Sequence, residues 1–219
     1  MQIPELYKIY CTNPSIKTDT RIVQKGDLFF ALKGDNFNGN HFAKQALDAG
    51  AAFAIIDETP DFSDERLIVT DDVLTTLQAL AKYHREQFIP KNIPFIAITG
   101  SNGKTTTKEL IHEVLSTTYK TYTTKGNFNN HIGIPLTILS VKKDAEIAVI
   151  EMGANHRKEI EGYCKYTLPT HGLITNCGKA HLEGFGGEEG VKKGKGELYD
   201  YLRNTNGTIF LFNDYDYLI

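Results

Sequence analysis

The stretch Phe95–Leu110, FIAITGSNGKTTTKEL, constrains the fold more than any other part of the chain. Five apolar or β-favouring residues run unbroken and stop at Gly100. Ser101, Asn102 and a second glycine, Gly103, follow, and Lys104, Thr105 and Thr106 open a helical stretch. A strand, a glycine turn and a helix in this order form a phosphate-binding loop, because N–H groups at a helix start face an anion unaided. The spacing is shorter than the common G-x-x-x-x-G-K-[ST] pattern: Ile98 stands where the first glycine would be, and the loop reads G-x-x-G-K-T from Gly100. Gly100 and Gly103 allow positive φ or close backbone approach. Lys104 can reach β- and γ-phosphates, and the Thr105 hydroxyl can ligate Mg2+. The bland alternative is a plain turn with a surface lysine.

The rest of the chain fits around that unit. Upstream, Gly26–Leu32, Ala51–Asp57 and Arg66–Thr70 read as strands. A helix is expected over 41–50, closed by Gly50. Another is expected over 72–88, with Val73, Leu74, Leu77, Leu80 and Ala81 on one face. Two prolines in Ile89–Pro94 mark a linker. The expected division is therefore a small α/β domain over 1–88, a linker over 89–94 and a second domain over 95–219. In the second, strands at 119–124, 147–152, 172–176 and 208–212 alternate with helices at 105–115, from Pro135, at 156–166 and at 191–202. Such alternation with apolar strands predicts a mostly parallel sheet covered on both faces. The chain stops just after its last strand, where a doubly wound domain usually continues, so the second domain is expected to be incomplete.

Ligands of parallel sheets bind at the carboxyl ends of the strands. Glu151 ends one strand and is either a turn residue or a hard metal ligand. Asn176 ends another, and His181 follows it, as a solvated side chain or a site residue. Asn127, Asn129 and Asn130 are turn formers or part of the same edge. Lys192, Lys193 and Lys195 are expected at a helix start, where they oppose the dipole. They form a solvated basic face or touch phosphate.

Composition excludes several classes. A formal charge of −3 gives no general attraction to nucleic acid. No apolar run is long enough to span a membrane, and MQIPELYKIY lacks the form of a secretory signal. Cys11, Cys164 and Cys177 match neither a disulfide framework nor a zinc site, which points to a reducing cytoplasm.

Four blocks, TGSNGKTTTKE, GNFNNHIGIP, EMGANHRKEI and ITNCGKAHLEGFG…KGELYDYL, resemble in order and spacing those of the Mur ligase family. DTRIVQKGDLFFALKGDNFNGNHFAKQALDAGA is similar to the UDP-binding domain of that family. The resemblance implies an ATP-dependent amide-forming ligase of peptidoglycan synthesis, in particular the type that adds D-alanyl-D-alanine to UDP-MurNAc-tripeptide through an acyl phosphate. It implies that Lys104 holds the phosphates, Thr105 and Glu151 a first Mg2+, and His181 a second. Lys195 matches a lysine that is carbamylated in several relatives, and Asn130 an asparagine near the γ-phosphate. Asp19, Thr20, Arg21, Gly34, Asn36 and His41 fall where relatives contact the uridine nucleotide or its sugar. The resemblance also implies a third domain that this chain lacks, no activity from this chain alone, and a monomer in the cytoplasm. Alternatives are the sister ligase acting on UDP-MurNAc-dipeptide and a substrate-binding fragment only. A kinase or GTPase would need the full-length loop and an aspartate in place of Glu151.

Overall fold

Every residue of the strand Ile147–Glu151 is buried, as expected of a parallel strand covered on both faces. The computed structural model describes residues 1–178 and 181–218. Its packing divides into two units, Met1–His84 and Arg85–Ile219.

The first unit runs α1 (Ile3–Thr12), β1 (Ile16–Lys17), β2 (Leu28–Phe30), the short hairpin β3 (Lys33–Gly34) and β4 (Phe37–Asn38), α2 (Ala43–Asp48), β5 (Phe53–Ile56) and β6 (Leu67–Val69). The helix α3 (Val73–Glu86) follows and crosses the division. Strands β1, β2, β5 and β6 pair in that order, all parallel. Phe29, Ala31, Ala54 and Ile56 pack with Ala43, Ala46 and Leu47 of α2 to form a core. The helix expected over 41–50 is shorter than its pattern, because Gly39–Phe42 forms a 3₁₀ turn first. Helix α1 escaped the sequence reading. Its start carries Gln2 in place of the usual Ser, Thr, Asp or Asn, and the Glu5 carboxylate accepts from Gln2 N at 3.1 Å instead.

The division falls inside α3, before the proline-rich stretch at 89–94. Arg85 explains why. Its guanidinium is buried, donates to the carbonyls of Thr167 and Leu168 at 3.1 and 3.0 Å, and stands 4.0 Å from the Phe95 ring centroid. The last turn of α3 thus belongs to the second unit, and Ile89–Lys91 continues there as a 3₁₀ turn.

The second unit runs β7 (Phe95–Thr99), α4 (Lys104–Ser116), β8 (Thr121–Thr123), α5 (Gly133–Ser140), β9 (Ile147–Glu151), α6 (Glu159–Thr167), β10 (His171–Ile174), α7 (Leu182–Phe185), α8 (Glu188–Asn204) and β11 (Thr208–Phe210). The sheet is parallel throughout, in the order β11-β10-β7-β9-β8. Side chains alternate along each strand. Ile98, Ile147 and Val149 meet Ile111 and Leu115 of α4 on one face. On the other, a Cβ at Gly172 would lie 2.8 Å from Leu202 and 3.0 Å from Leu198, so α8 rests directly on β10. By the same alternation Glu151 points to the α4 face. The mixed α/β class with mostly parallel sheets agrees with the sequence reading.

Two helix starts differ from expectation. Helix α6 begins at Glu159, not His156, because Lys158 has φ 74°. Helix α8 begins at Glu188, so Lys192, Lys193 and Lys195 lie inside it, and Glu188 and Glu189 occupy the first turn where they suit the dipole. Among the described residues no helix is long and apolar enough to cross a membrane.

Candidate functional site

The site is built at the carboxyl ends of β7, β9 and β10. Gly100 leaves β7 with φ 142°, and Gly103 precedes α4 with φ 77°, a conformation that L side chains rarely adopt. A Cβ on Gly100 would lie 2.0 Å from Thr175 Oγ1, so only glycine fits. The end of β10 clamps the loop. Ser101 N donates to Asn176 O at 2.9 Å, Asn102 N to Asn176 Oδ1 at 3.1 Å, and Thr175 Oγ1 to Asn102 O at 2.6 Å. Lys104 curls back and donates to the carbonyls of Gly100 and Ser101 at 2.8 and 3.1 Å. Burial lowers its pKa, partly offset by the charge of Glu151. Thr106 is exposed in the first turn of α4.

Glu151 is 1% exposed. Its Oε1 accepts from Thr105 Oγ1 at 3.2 Å and from Asn129 Nδ2 at 2.8 Å, while Oε2 is buried with no partner among the described residues. A buried carboxylate with a bare oxygen is costly unless something cationic completes it. Of the three asparagines the sequence placed at this edge, Asn129 is the one on the carboxylate. Asn130 Oδ1 accepts from Ile132 N and Gly133 N at 3.1 and 2.8 Å at the start of α5.

A cleft of about 280 Å³ opens beside the loop, with Gly100, Lys104, Asn130, Glu159, His181 and Lys195 in its lining. His181 precedes α7 with φ 55°. Lys195 is 2% exposed, donates to Ala154 O at 3.0 Å and stands 5.0 Å from the Phe185 ring centroid. Burial, with the charge of Lys104 adding to it, pushes its pKa down to about 8. Lys104, Lys195, His181 and Asn130 are thus brought to one cleft, with Thr105 and Glu151 at hydrogen-bond distance beside it.

The first-unit candidates fall at two places. Asp19, Thr20 and Arg21 share a 3₁₀ turn over Thr20–Ile22. Asp19 and Arg21 engage each other at 2.6 Å, holding the Asp19 carboxyl down at about 2. Gly34 and Asn36 lie in the β3–β4 hairpin and His41 in the turn that follows. Beside them stands a network the sequence did not single out. Lys33 reaches Asp57 and Glu58 at 2.9 Å each, Asn40 donates to Asp57 at 2.8 Å, and Asn38 to Glu58 at 3.0 Å.

The model of the Mur ligase middle domain matches residues 98–218, and that of the Mur ligase family, catalytic domain, matches residues 14–93. The chain belongs to the Mur ligase family. Within it, this Mur ligase chain is 39% identical to the UDP-N-acetylmuramoyl-tripeptide–D-alanyl-D-alanine ligase of Bacillus subtilis (strain 168), over 95% of its own length and 47% of the relative's. It is 40% identical to the ligase of the same name from Escherichia coli (strain K12), over 98% of its own length and 46% of the relative's. The chain thus spans about half the length of the curated relatives it matches. A crystal structure of MurF from Acinetobacter baumannii superposes with a TM-score of 0.80 at 40% identity, covering 85% of this Mur ligase chain and 41% of that one. MurF ligase from Thermotoga maritima, solved in complex with ADP, gives 0.79 at 33% identity, covering 87% and 44%.

Proposed function

We propose that this chain supplies the UDP-substrate and nucleotide portions of an ATP-dependent ligase that joins D-alanyl-D-alanine to UDP-MurNAc-tripeptide in peptidoglycan synthesis. The single observation that carries the reading is Glu151: a buried carboxylate held by Thr105 and Asn129, with one bare oxygen, beside a glycine loop that ends in Lys104. That geometry suits a divalent cation and a nucleotide phosphate, and it fits the names of the relatives and the ADP complex of the Thermotoga protein.

In this reading the first unit, Met1–His84, takes the uridine nucleotide and sugar, through Asp19, Thr20, Arg21, Gly34, Asn36 and His41. The second unit, which begins at Arg85, takes ATP through Gly100–Thr106 and Asn130. A substrate carboxylate attacks the γ-phosphorus, ADP leaves, and the amine of D-alanyl-D-alanine displaces phosphate from the acyl phosphate to give the amide. Two anions meet in the first step, and cations must screen them. Mg2+ held by Thr105 and Glu151, and a second ion near His181, would supply that screening. Lys104 leaves its loop carbonyls for the phosphates. The lowered pKa of Lys195 leaves part of it as free amine at neutral pH, able to take up CO2 with loss of a proton and become a carbamate near His181. The enzyme is expected to be a cytoplasmic monomer.

Calorimetric titration tests the reading. The folded chain should bind ADP more tightly with Mg2+ than without, and UDP-MurNAc-tripeptide in preference to the dipeptide form. A preference for the dipeptide would move the assignment to the sister ligase. Failure to bind ADP under both conditions would overturn the nucleotide site.

A further inference from the structure

Thr124 follows β8 directly and is 0% exposed, with all three of its polar groups engaged. Its N–H donates to Val149 O at 3.2 Å, and its Oγ1 accepts from Glu151 N at 3.0 Å. Its carbonyl accepts from Lys108 Nζ at 2.6 Å. Lys108 is itself 0% exposed and lies four residues after Lys104 on α4, so the two ammonium groups share a helix face. The chain then runs from Thr124 through 125–128 to Asn129. There Nδ2 holds Glu151 Oε1 at 2.8 Å, and the Asn129 carbonyl accepts from Gly153 N at 2.8 Å.

A buried ammonium is an expensive way to attach a helix to a sheet. An apolar side chain of similar volume does so without desolvating a charge. The only carboxylate paired with Lys108 among the described ion pairs is Glu109, at 2.6 Å, and that side chain is half exposed. The buried end of the contact is the Thr124 carbonyl.

We propose that Lys108 is a positioning residue for the metal carboxylate. Through Thr124 it fixes both the backbone of Glu151 and the start of the loop that brings Asn129 to it. One face of α4 then serves both halves of the site, Lys104 at the phosphate loop and Lys108 behind Glu151. Groups that orient a metal ligand without touching the metal typically change its affinity by about 10- to 100-fold. The inference rests on the Mg2+–nucleotide reading above.

The test is ADP binding by the whole chain, with and without Mg2+, together with hydrogen exchange at the Glu151 amide. In Lys108→Met the Mg2+ enhancement of ADP affinity should fall about tenfold, while metal-free ADP binding stays within about twofold and Glu151 exchanges faster. A merely structural role would lower both affinities together or neither. Thr124→Val removes only the acceptor for Glu151 N and decides the matter should Lys108→Met fail to fold; it should lose the enhancement, and Thr124→Ser should restore it. A folded Lys108→Met with wild-type Mg2+ enhancement, or Thr124→Val equal to Thr124→Ser, overturns the inference alone. Absence of ADP binding by the wild-type chain overturns the nucleotide reading and this inference with it.

Discussion

Thr105 Oγ1 and Glu151 Oε1 lie 3.2 Å apart, although 46 positions separate them in the chain. Thr105 opens α4 and Glu151 closes β9, and the pairing of β7 with β9 in the register Ile98↔Glu151 brings them together. The contact joins a helix start that favours anions to a carboxylate that favours cations, which is the pairing a metal-bound phosphate requires.

Glu151→Gln separates the two demands on this position. The substitution keeps the acceptor for Thr105 and Asn129 and removes a buried charge whose Oε2 has no partner among the described residues. Metal-free thermal stability should hold or rise. The Mg2+ enhancement of ADP binding should fall at least about tenfold, roughly 1.4 kcal/mol. Calorimetric melting with and without Mg2+ and ADP reads both; a lower melting temperature without metal would show that water already satisfies the bare oxygen.

The two loop glycines should respond differently to alanine. At Gly103 a Cβ meets nothing within 4 Å, so only the left-handed backbone is penalised, about 1–2 kcal/mol. At Gly100 the Cβ also collides with Thr175, whose hydroxyl holds Asn102. Gly100→Ala should therefore cost clearly more in denaturant unfolding. Equal losses would mean that the Thr175 side chain swings away freely.

Lys195 makes stability depend on pH with a definite sign. Its folded pKa, about 8, lies below the unfolded value of about 10.4. Between those values the unfolded chain binds more protons, so stability rises as pH rises. Well below pH 8 both states are protonated and the full penalty of the buried ammonium is present. Lys195→Met should flatten the rise by up to about 1.4 kcal/mol per pH unit. Unfolding curves from pH 7 to 10 would show it; parallel pH profiles would count against a desolvated ammonium.

Glu197 caps a helix that is not its own. From α8 its carboxylate accepts from Lys158 N at 2.6 Å and Glu161 N at 3.0 Å, at the start of α6 where no side chain of the α6 cap residue serves. Glu197→Ala should cost about 1–2 kcal/mol, as loss of a good cap does, and speed hydrogen exchange at those two amides. Unchanged exchange there would refute the capping role.

The legible parts of the site were those encoded within a few residues. Gly100–Thr105 announces itself because a strand, a turn and a helix start are adjacent in sequence. Glu151 was visible as a carboxylate ending an apolar strand. Asn129 and Asn130 stand in one amide-rich loop, and only the packing of that loop over β9 decides that Asn129 reaches Glu151 while both line the cleft. Lys108 and Glu197 were silent: a lysine and a glutamate on helices read as solvated charges until the partner element is known.

By itself the sequence determined the local geometry: short apolar strands, the glycine turn, and helices whose periodic faces must be covered. These follow from backbone sterics and hydrophobic periodicity, which act over one or two turns. Tertiary structure alone decided the order β11-β10-β7-β9-β8, and with it the meeting of Thr105 with Glu151, the clamp of Asn176 on the loop, and the burial of Lys108 and Lys195. The physical reason is that strand order is set by which buried faces close over one another, and that condition involves the whole unit at once.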